Sequence, residues 1–278
     1  MELLDKYRAL YNAQDKILNL LAKSGVGLYL TGGTALNRFI LNNYRYSDNL
    51  DLFTVEQSLG ARAEINEFAS FLKGNGVKFE ILIDSFGFKR LITDENLKID
   101  LVYDSTKHIG KFIEKNGFLI DNIENIFINK LDATYSRDEI RDYFDLYLIL
   151  KNFDINLYEG YKNLQLKSAT TLEEICANMM SFTKLNITKI NIHSLPVKSN
   201  KILNDFKENS QSFFKNYFSL ENIKSEYNNT NSLKDDLKQL KDLSSDFNKI
   251  FEDDKEQTTK NRSNIRKNKQ WKIHLAIK

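Results

Sequence analysis

The stretch Gly32-Gly33-Thr34-Ala35-Leu36 constrains this chain more than any other. It follows an apolar run from Val26 to Leu30 and opens a helical segment from Ala35 to Leu41. Two glycines permit a tight strand-to-helix turn and let an anion approach the backbone closely. The N–H groups of a helix start, with the positive end of its dipole, suit a phosphate. A second stretch follows at once: Arg45-Tyr46-Ser47-Asp48-Asn49-Leu50-Asp51-Leu52-Phe53. Read as a strand, it places Asn49 and Asp51 at alternate positions on one face. A phosphate cradle thus stands beside a strand that presents metal-binding oxygens.

The rest of the first 120 residues alternates in the same way. Residues 2–23 carry Leu3, Leu4, Tyr7, Leu10, Tyr11, Ile17, Leu18 and Leu21 at helical spacing, and Ala61 to Leu72 reads as a helix closed by Gly74-Asn75-Gly76. Val77 to Ile83, Phe86 to Ile92 and Leu97 to Tyr103 read as strands, the last two joined by the turn Thr93-Asp94-Glu95-Asn96, and Phe118 to Ile120 as a short one. Asp121 is placed to cap a helix reaching Tyr135, and Asp138 another reaching Leu150. Beyond that the chain reads as helical: Asn156 to Leu166, Leu172 to Phe182, Lys198 to Phe218 and Leu233 to Ile250, with Pro196 marking a break. The expected fold class is α+β, a mixed sheet with packed helices followed by a mainly helical C-terminal domain. The expected divisions are 1–120, 121–254 and a basic tail, 255–278.

One cysteine, Cys176, excludes an intramolecular disulfide framework, so a reducing cytoplasm is the expected compartment. No apolar run has the length to cross a bilayer, and the start lacks the basic residues of a secretory signal. His108, His193 and His274 lack zinc spacing. The net charge is +2, unevenly placed: from Lys255 onward there are eight Lys/Arg against one Glu, with Trp271 among them. That end reads either as an arm that tracks a nucleic-acid backbone and stacks on a base, or as a solvated tail.

Downstream, Lys98-Ile99-Asp100-Leu101-Val102 looks like a strand bringing a further carboxylate. Lys130-Leu131-Asp132-Ala133, Arg137 and Arg141-Asp142-Tyr143-Phe144-Asp145-Leu146 form a helical block. Taken in order from Tyr29 to Leu150, these motifs resemble the AbiEii/AbiGii-type nucleotidyltransferases, the toxin members of abortive-infection and toxin–antitoxin pairs. The resemblance implies metal-dependent transfer of a nucleoside monophosphate from a nucleoside triphosphate (NTP) to an acceptor such as tRNA or another RNA. It also implies Mg2+ or Mn2+ as cofactor, toxicity in a growing cell and a cognate antitoxin. The family's first catalytic strand carries Asp-x-Asp, where this chain has Asn49-Leu50-Asp51. A carboxamide offers a hard cation one neutral oxygen. Asp48, on a regular strand, faces away from Asp51.

Hard divalent cations need oxygen ligands, and strand interiors are depleted in Asp, so Asp51 and Asp100 are the expected metal ligands and catalytic residues, with Asn49 beside them. Gly32, Gly33 and Thr34 are the expected seat of the β- and γ-phosphates. The resemblance adds Lys130 as a phosphate contact and Asp142 as a catalytic proton acceptor or metal-shell residue. Arg45 stands to contact phosphate or pair with an acid. For Arg141 and Asp145, a nucleotide contact and an ion-pair lattice that fixes the helix are equal readings, while Tyr143, Phe144, Tyr147 and Leu148 read as core. Two further functions fit the same residues. One is an NTP-binding protein catalytically weakened by Asn49, the other a helical module for protein or RNA on an α/β scaffold.

Overall fold

Alternation in the first 120 residues resolves into seven strands: β1 (Leu28–Thr31), β2 (Asn49–Thr54), β3 (Phe79–Ser85), β4 (Phe88–Thr93), β5 (Lys98–Val102), β6 (Ile113–Lys115) and β7 (Phe118–Ile120). In the computed structural model, which describes residues 3–137, 139–182, 196, 199–219, 221–223 and 225, they form one mixed sheet in the order β3-β4-β5-β2-β1-β7-β6. β2 runs parallel to β5 and β1 parallel to β7, while the other neighbours are antiparallel. The fold class is the one expected. β6 was not expected, because three exposed residues at a sheet edge leave no periodicity to read.

The period of two sorts the faces. Leu30, Leu50, Leu52, Leu91, Ile99 and Leu101 are fully buried on one side. Helices α1 (Leu3–Ser24) and α3 (Arg62–Gly74) cover that side with Ile17, Leu18, Phe68 and Leu72. On the other face polar residues line up across the strands. Thr31 pairs in register with Asp51, Asp51 with Asp100, and Asp100 with Arg90. Two residues earlier on the same face, Asn49 pairs with Lys98.

Gly32–Thr34 forms one helical turn, α2, which continues as a π-helix over Ala35–Ile40. After the sheet come α4 (Ile123–Ser136), α5 (Ile140–Asn152), α6 (Leu157–Leu164), α7 (Leu172–Ser181) and α8 (Asn200–Tyr217). Asn122, one residue after the expected Asp121, caps α4 by accepting from the Asn125 N–H. Asp121 is fully buried and accepts instead from Thr31 Oγ1 at 2.5 Å and Asn125 Nδ2 at 3.0 Å. Glu139 occupies the N-cap position of α5; the expected cap, Asp138, lies outside the described residues. Tyr143, Phe144, Tyr147 and Leu148 are buried. Phe144 and Tyr147 meet Phe206 of α8 edge-on, each with ring centroids 5.2 Å apart.

Met1–Phe218 forms one unit and Ser219–Lys278 another, where the sequence suggested divisions after residues 120 and 254. The helices that follow β7 belong to the sheet's unit because buried polar contacts tie the two together. Arg45 reaches Asp145 across 100 residues of chain, and Thr31 reaches Asp121 across 90. The helix expected over 233–250 and the basic tail lie outside the described residues. Among the described residues no helix is long and apolar enough to cross a membrane.

Candidate active site

The glycine turn exists because there is no room for anything larger. Gly32 has φ +69, and a Cβ there would collide with Oδ2 of Asp51. A Cβ on Gly33 would stand 2.7 Å from Arg45 Nη2 and 3.1 Å from Ser47 Oγ. The backbone that follows β1 is therefore pressed directly onto the polar face of the sheet. Thr34 turns away. It is fully buried, and its hydroxyl lies 2.9 Å from Ser47 Oγ and donates to the Asn49 carbonyl. In this geometry the expected phosphate donor is a tie between α2 and the start of β2.

Asp51 projects from β2 into the space beside the turn. Among the described residues no cationic group lies within 4 Å of its carboxylate. Burial and then the charge of Asp100 push its carboxyl up to about 6, against the partial relief of Lys130, Arg137 and Arg141. Asp100, its register partner, is matched by a charge: Arg90 on β4 donates to both its oxygens, each at 2.7 Å. Arg90 was not among the expected site residues, although a signal for it existed. Once the Thr93–Asn96 turn joins β4 to β5 as a hairpin, the residue opposite Asp100 is fixed as Arg90.

The helical block closes the site from above. Lys130 on α4 is 6% exposed and donates to Asp142 and Asp145 on α5, both at 2.7 Å. Arg45 clamps Asp145 through Nε at 2.7 Å and Nη2 at 2.6 Å, and Arg137 holds Asp142 at 2.8 Å. Burial alone would raise Asp142 and Asp145. Lys130 and Arg137 outweigh it at Asp142, and Arg45 and Lys130 outweigh it at Asp145, so both carboxyls lie below their ordinary range. Both aspartates are wholly enclosed. Asp142, expected as a proton acceptor or metal-shell residue, holds Lys130 and Arg137 in this geometry. Of the two readings open for Asp145, the ion-pair lattice is the one its contacts describe. Arg141 lies outside that lattice, half exposed, with Glu139 at 3.7 Å.

Three hollows meet here. A polar one of about 160 Å³ is walled by Gly33, Asn49, Asp51, Asp100, Lys130 and Arg137, among others. A cleft of about 340 Å³ extends from it along α4, between Gly32, Asp51, Phe53, Asn129 and Arg137. A larger hollow of about 640 Å³ opens past Asn49 toward α1. Glycine backbone, Lys130 and Arg137 beside an uncompensated carboxylate could receive a polyphosphate together with a hard cation. Magnesium is commonly held by one or two carboxylates plus substrate phosphates, and Asp51 with the oxygen of Asn49 fits that donor set. Asp100 has lone pairs left for a cation beside its two bonds from Arg90, although that arginine already offsets its charge. No group of three or more His, Cys, Asp or Glu among the described residues forms a ready cage.

Residues 19–252 match the family model described as "Nucleotidyl transferase AbiEii toxin, Type IV TA system". The chain belongs to this nucleotidyltransferase toxin family. No curated protein matches it by sequence. Solved structures similar to it include JHP933 from Helicobacter pylori, 21% identical over 88% of this chain and 97% of that one, with a TM-score of 0.46. The nucleotidyltransferase toxin MenT4 (Rv2826c) from Mycobacterium tuberculosis H37Rv is 14% identical over 84% and 87% of the two chains, with a TM-score of 0.48.

Proposed function

We propose that this family member transfers a nucleoside monophosphate from an NTP to an acceptor hydroxyl, with RNA such as tRNA as the acceptor class. The observation that carries the reading is Asp51, a carboxylate left without a cation beside a glycine turn, Lys130 and Arg137. A divalent ion (Mg2+ or Mn2+) bound at Asp51, Asn49 and the free lone pairs of Asp100 would supply charge neutralisation for the α-phosphate and the departing pyrophosphate. The backbone at Gly32 and Gly33 receives the triphosphate, and Lys130 and Arg137 face its outer phosphates as preset charges. In the transfer, the acceptor oxygen bonds to the α-phosphorus. The bond to the β-phosphate bridge breaks, pyrophosphate leaves with the electron pair, and the hydroxyl proton passes to an Asp51 or Asp100 oxygen, or to water. As a toxin of a toxin–antitoxin family, the protein has a cognate antitoxin that counters this activity.

A specific observation favours a second reading. Asn49 removes one charge from the strand pair and Arg90 occupies both oxygens of Asp100, so the protein binds NTP and transfers slowly or not at all. Incubating the full chain with each labelled NTP, Mg2+ and total RNA separates the readings. Label on RNA supports transfer, NTP binding by calorimetry without label supports the weakened enzyme, and absence of NTP binding defeats both.

A further inference from the structure

The three hollows lie in a row along β2. Phe53 lines the cleft of about 340 Å³, Asp51 the polar centre, and Asn49 the hollow of about 640 Å³ at the start of the strand. Strand residues two apart on one face are separated by roughly 6.6 Å. A group at Asp51 is thus approached from the Phe53 side and, oppositely, from the Asn49 side. In-line displacement at phosphorus requires attacker and leaving group on opposite sides. If pyrophosphate departs toward Gly32, Lys130 and Arg137, the attacking hydroxyl comes from the Asn49 side. This step rests on the function proposed above.

The chemistry of that larger hollow then specifies what brings the hydroxyl. Its charged walls are Lys6 of α1, Lys98 at the start of β5, Arg141 of α5, Arg90, Asp48 and Glu95. Arg90 is matched by Asp100, and Asp48 stands beside the Tyr7 hydroxyl. Among the described residues neither Lys6 nor Lys98 has a carboxylate within 4 Å; the Lys6 ammonium lies 5.4 Å from the centre of the Tyr7 ring. Lys98 stands in register with Asn49, whose carboxamide has no hydrogen-bond partner among the described residues. Such a hollow repels a polycationic acceptor and receives an anionic one. Its two unmatched cations, Lys6 and Lys98, come from separate elements, α1 and β5, and Arg141 adds a third positive charge that Glu139 partly offsets.

We propose that the hollow bounded by Lys6, Asn49, Lys98 and Arg141 is where the RNA acceptor proposed above sits, with its terminal hydroxyl on the Asn49 side. Lys6 and Lys98 take backbone phosphates, and Asn49, able both to donate and to accept, holds the terminal sugar. The Asn that departs from the family's Asp-x-Asp is then a positioning residue for the acceptor.

The test uses the full chain and the double variant Lys6→Gln/Lys98→Gln, with Lys98→Glu as a stronger second variant. All the substituted side chains are exposed, and a thermal melt verifies folding. Probes are a single-stranded RNA oligonucleotide with a free 3′ hydroxyl and, separately, a non-hydrolysable NTP analogue with Mg2+. The expected result is NTP-analogue affinity within twofold of the parent and RNA affinity weaker on the order of tenfold. The salt dependence of RNA binding should be shallower by roughly 1.4, about 0.7 per lost phosphate contact. Unchanged RNA affinity, an equal loss of NTP affinity, failure of the parent to bind RNA, or label appearing on protein instead of RNA would each overturn the assignment. RNA binding is read without turnover, so an inactive parent that binds RNA through these lysines sinks the transferase reading and leaves the RNA seat standing.

Discussion

Two pairs of aspartates face the same site and are treated in opposite ways. Asp142 and Asp145 sit on a helix, fully enclosed, and three cations hold them: Lys130 between both, Arg137 on the first, Arg45 on the second. Asp51 and Asp100 sit side by side on parallel strands and share one cation, Arg90, which is spent on Asp100. The helix pair lies below the ordinary carboxylate range while Asp51 rises to about 6. Enclosed and paired, the first group is scaffold: it spends its charge on holding Lys130, Arg45 and Arg137 in place. Asp51, open and short of a cation, retains electrostatic free energy that a bound metal and triphosphate would release.

The helix pair should break first. Asp145→Ala leaves Arg45 and Lys130 buried with one carboxylate fewer, a change that costs about 3–5 kcal/mol when one partner of a buried ion pair is lost. Urea unfolding at neutral pH measures it. A loss under 1 kcal/mol would mean the lattice is not structural. Asp51→Asn should do the reverse. Removing a carboxylate raised by burial and by Asp100 should stabilise the metal-free protein by about 1–3 kcal/mol at pH 8. Transfer should fall on the order of 10²–10³-fold, the scale for one lost electrostatic contact in a transition state. An Asp51→Asn protein that is both less stable and still active would put Asp51 in the scaffold.

Acid separates the two pairs by sign. A carboxyl raised in the folded state gains protons before the unfolded chain does, so Asp51 adds stability as pH falls from above 6 toward about 4. Asp142 and Asp145, depressed in the folded state, contribute fully above about pH 4, and that contribution is lost as pH falls further. Chemical denaturation from pH 8 to 3 should therefore show a shallow rise and then a steep decline. In Asp51→Asn the rise should disappear and the decline remain. A rise that survives the substitution would assign it to another group.

What the sequence made legible follows the reach of each signal. Periodicity and turn chemistry are local, so the glycine turn, the strands, and the shared polar face of Asn49 and Asp51 could be read from neighbouring residues. Register is not local. That Asp51 and Asp100 stand opposite each other depends on β2 and β5 pairing across an intervening hairpin, and only the family motifs hinted at it. The roles of Arg45 and Asp145 stay open in the sequence because a charged residue, on a loop like Arg45 or a helix like Asp145, has the same local pattern whether it meets solvent or an ion 100 residues away. Thr34 shows the opposite failure. Its position after two glycines suggested a phosphate donor, and nothing local revealed that the Asn49 carbonyl would take its hydroxyl.

The smallest expected effect bears on the strand pair most directly. Asn49→Asp places a third carboxylate on the face that already holds Asp51 and Asp100, in register with Lys98. In the metal-free protein this added repulsion, partly offset by Lys98, should lower stability by about 1 kcal/mol. With Mg2+ present the sign should invert, because a charged oxygen replaces a neutral one at the cation; a tighter Mg2+ affinity, on the order of tenfold, is expected. If Asn49 also positions the acceptor, RNA binding should weaken even as metal binding tightens, since a carboxylate repels phosphate and cannot donate. Calorimetry for Mg2+ and an RNA titration on one preparation read both quantities. Should both affinities move in the same direction, Asn49 does not stand between the metal pair and the acceptor. Should neither move, residue 49 belongs with Thr34 among the ties of the scaffold, and the open pair consists of Asp51 and Asp100 alone.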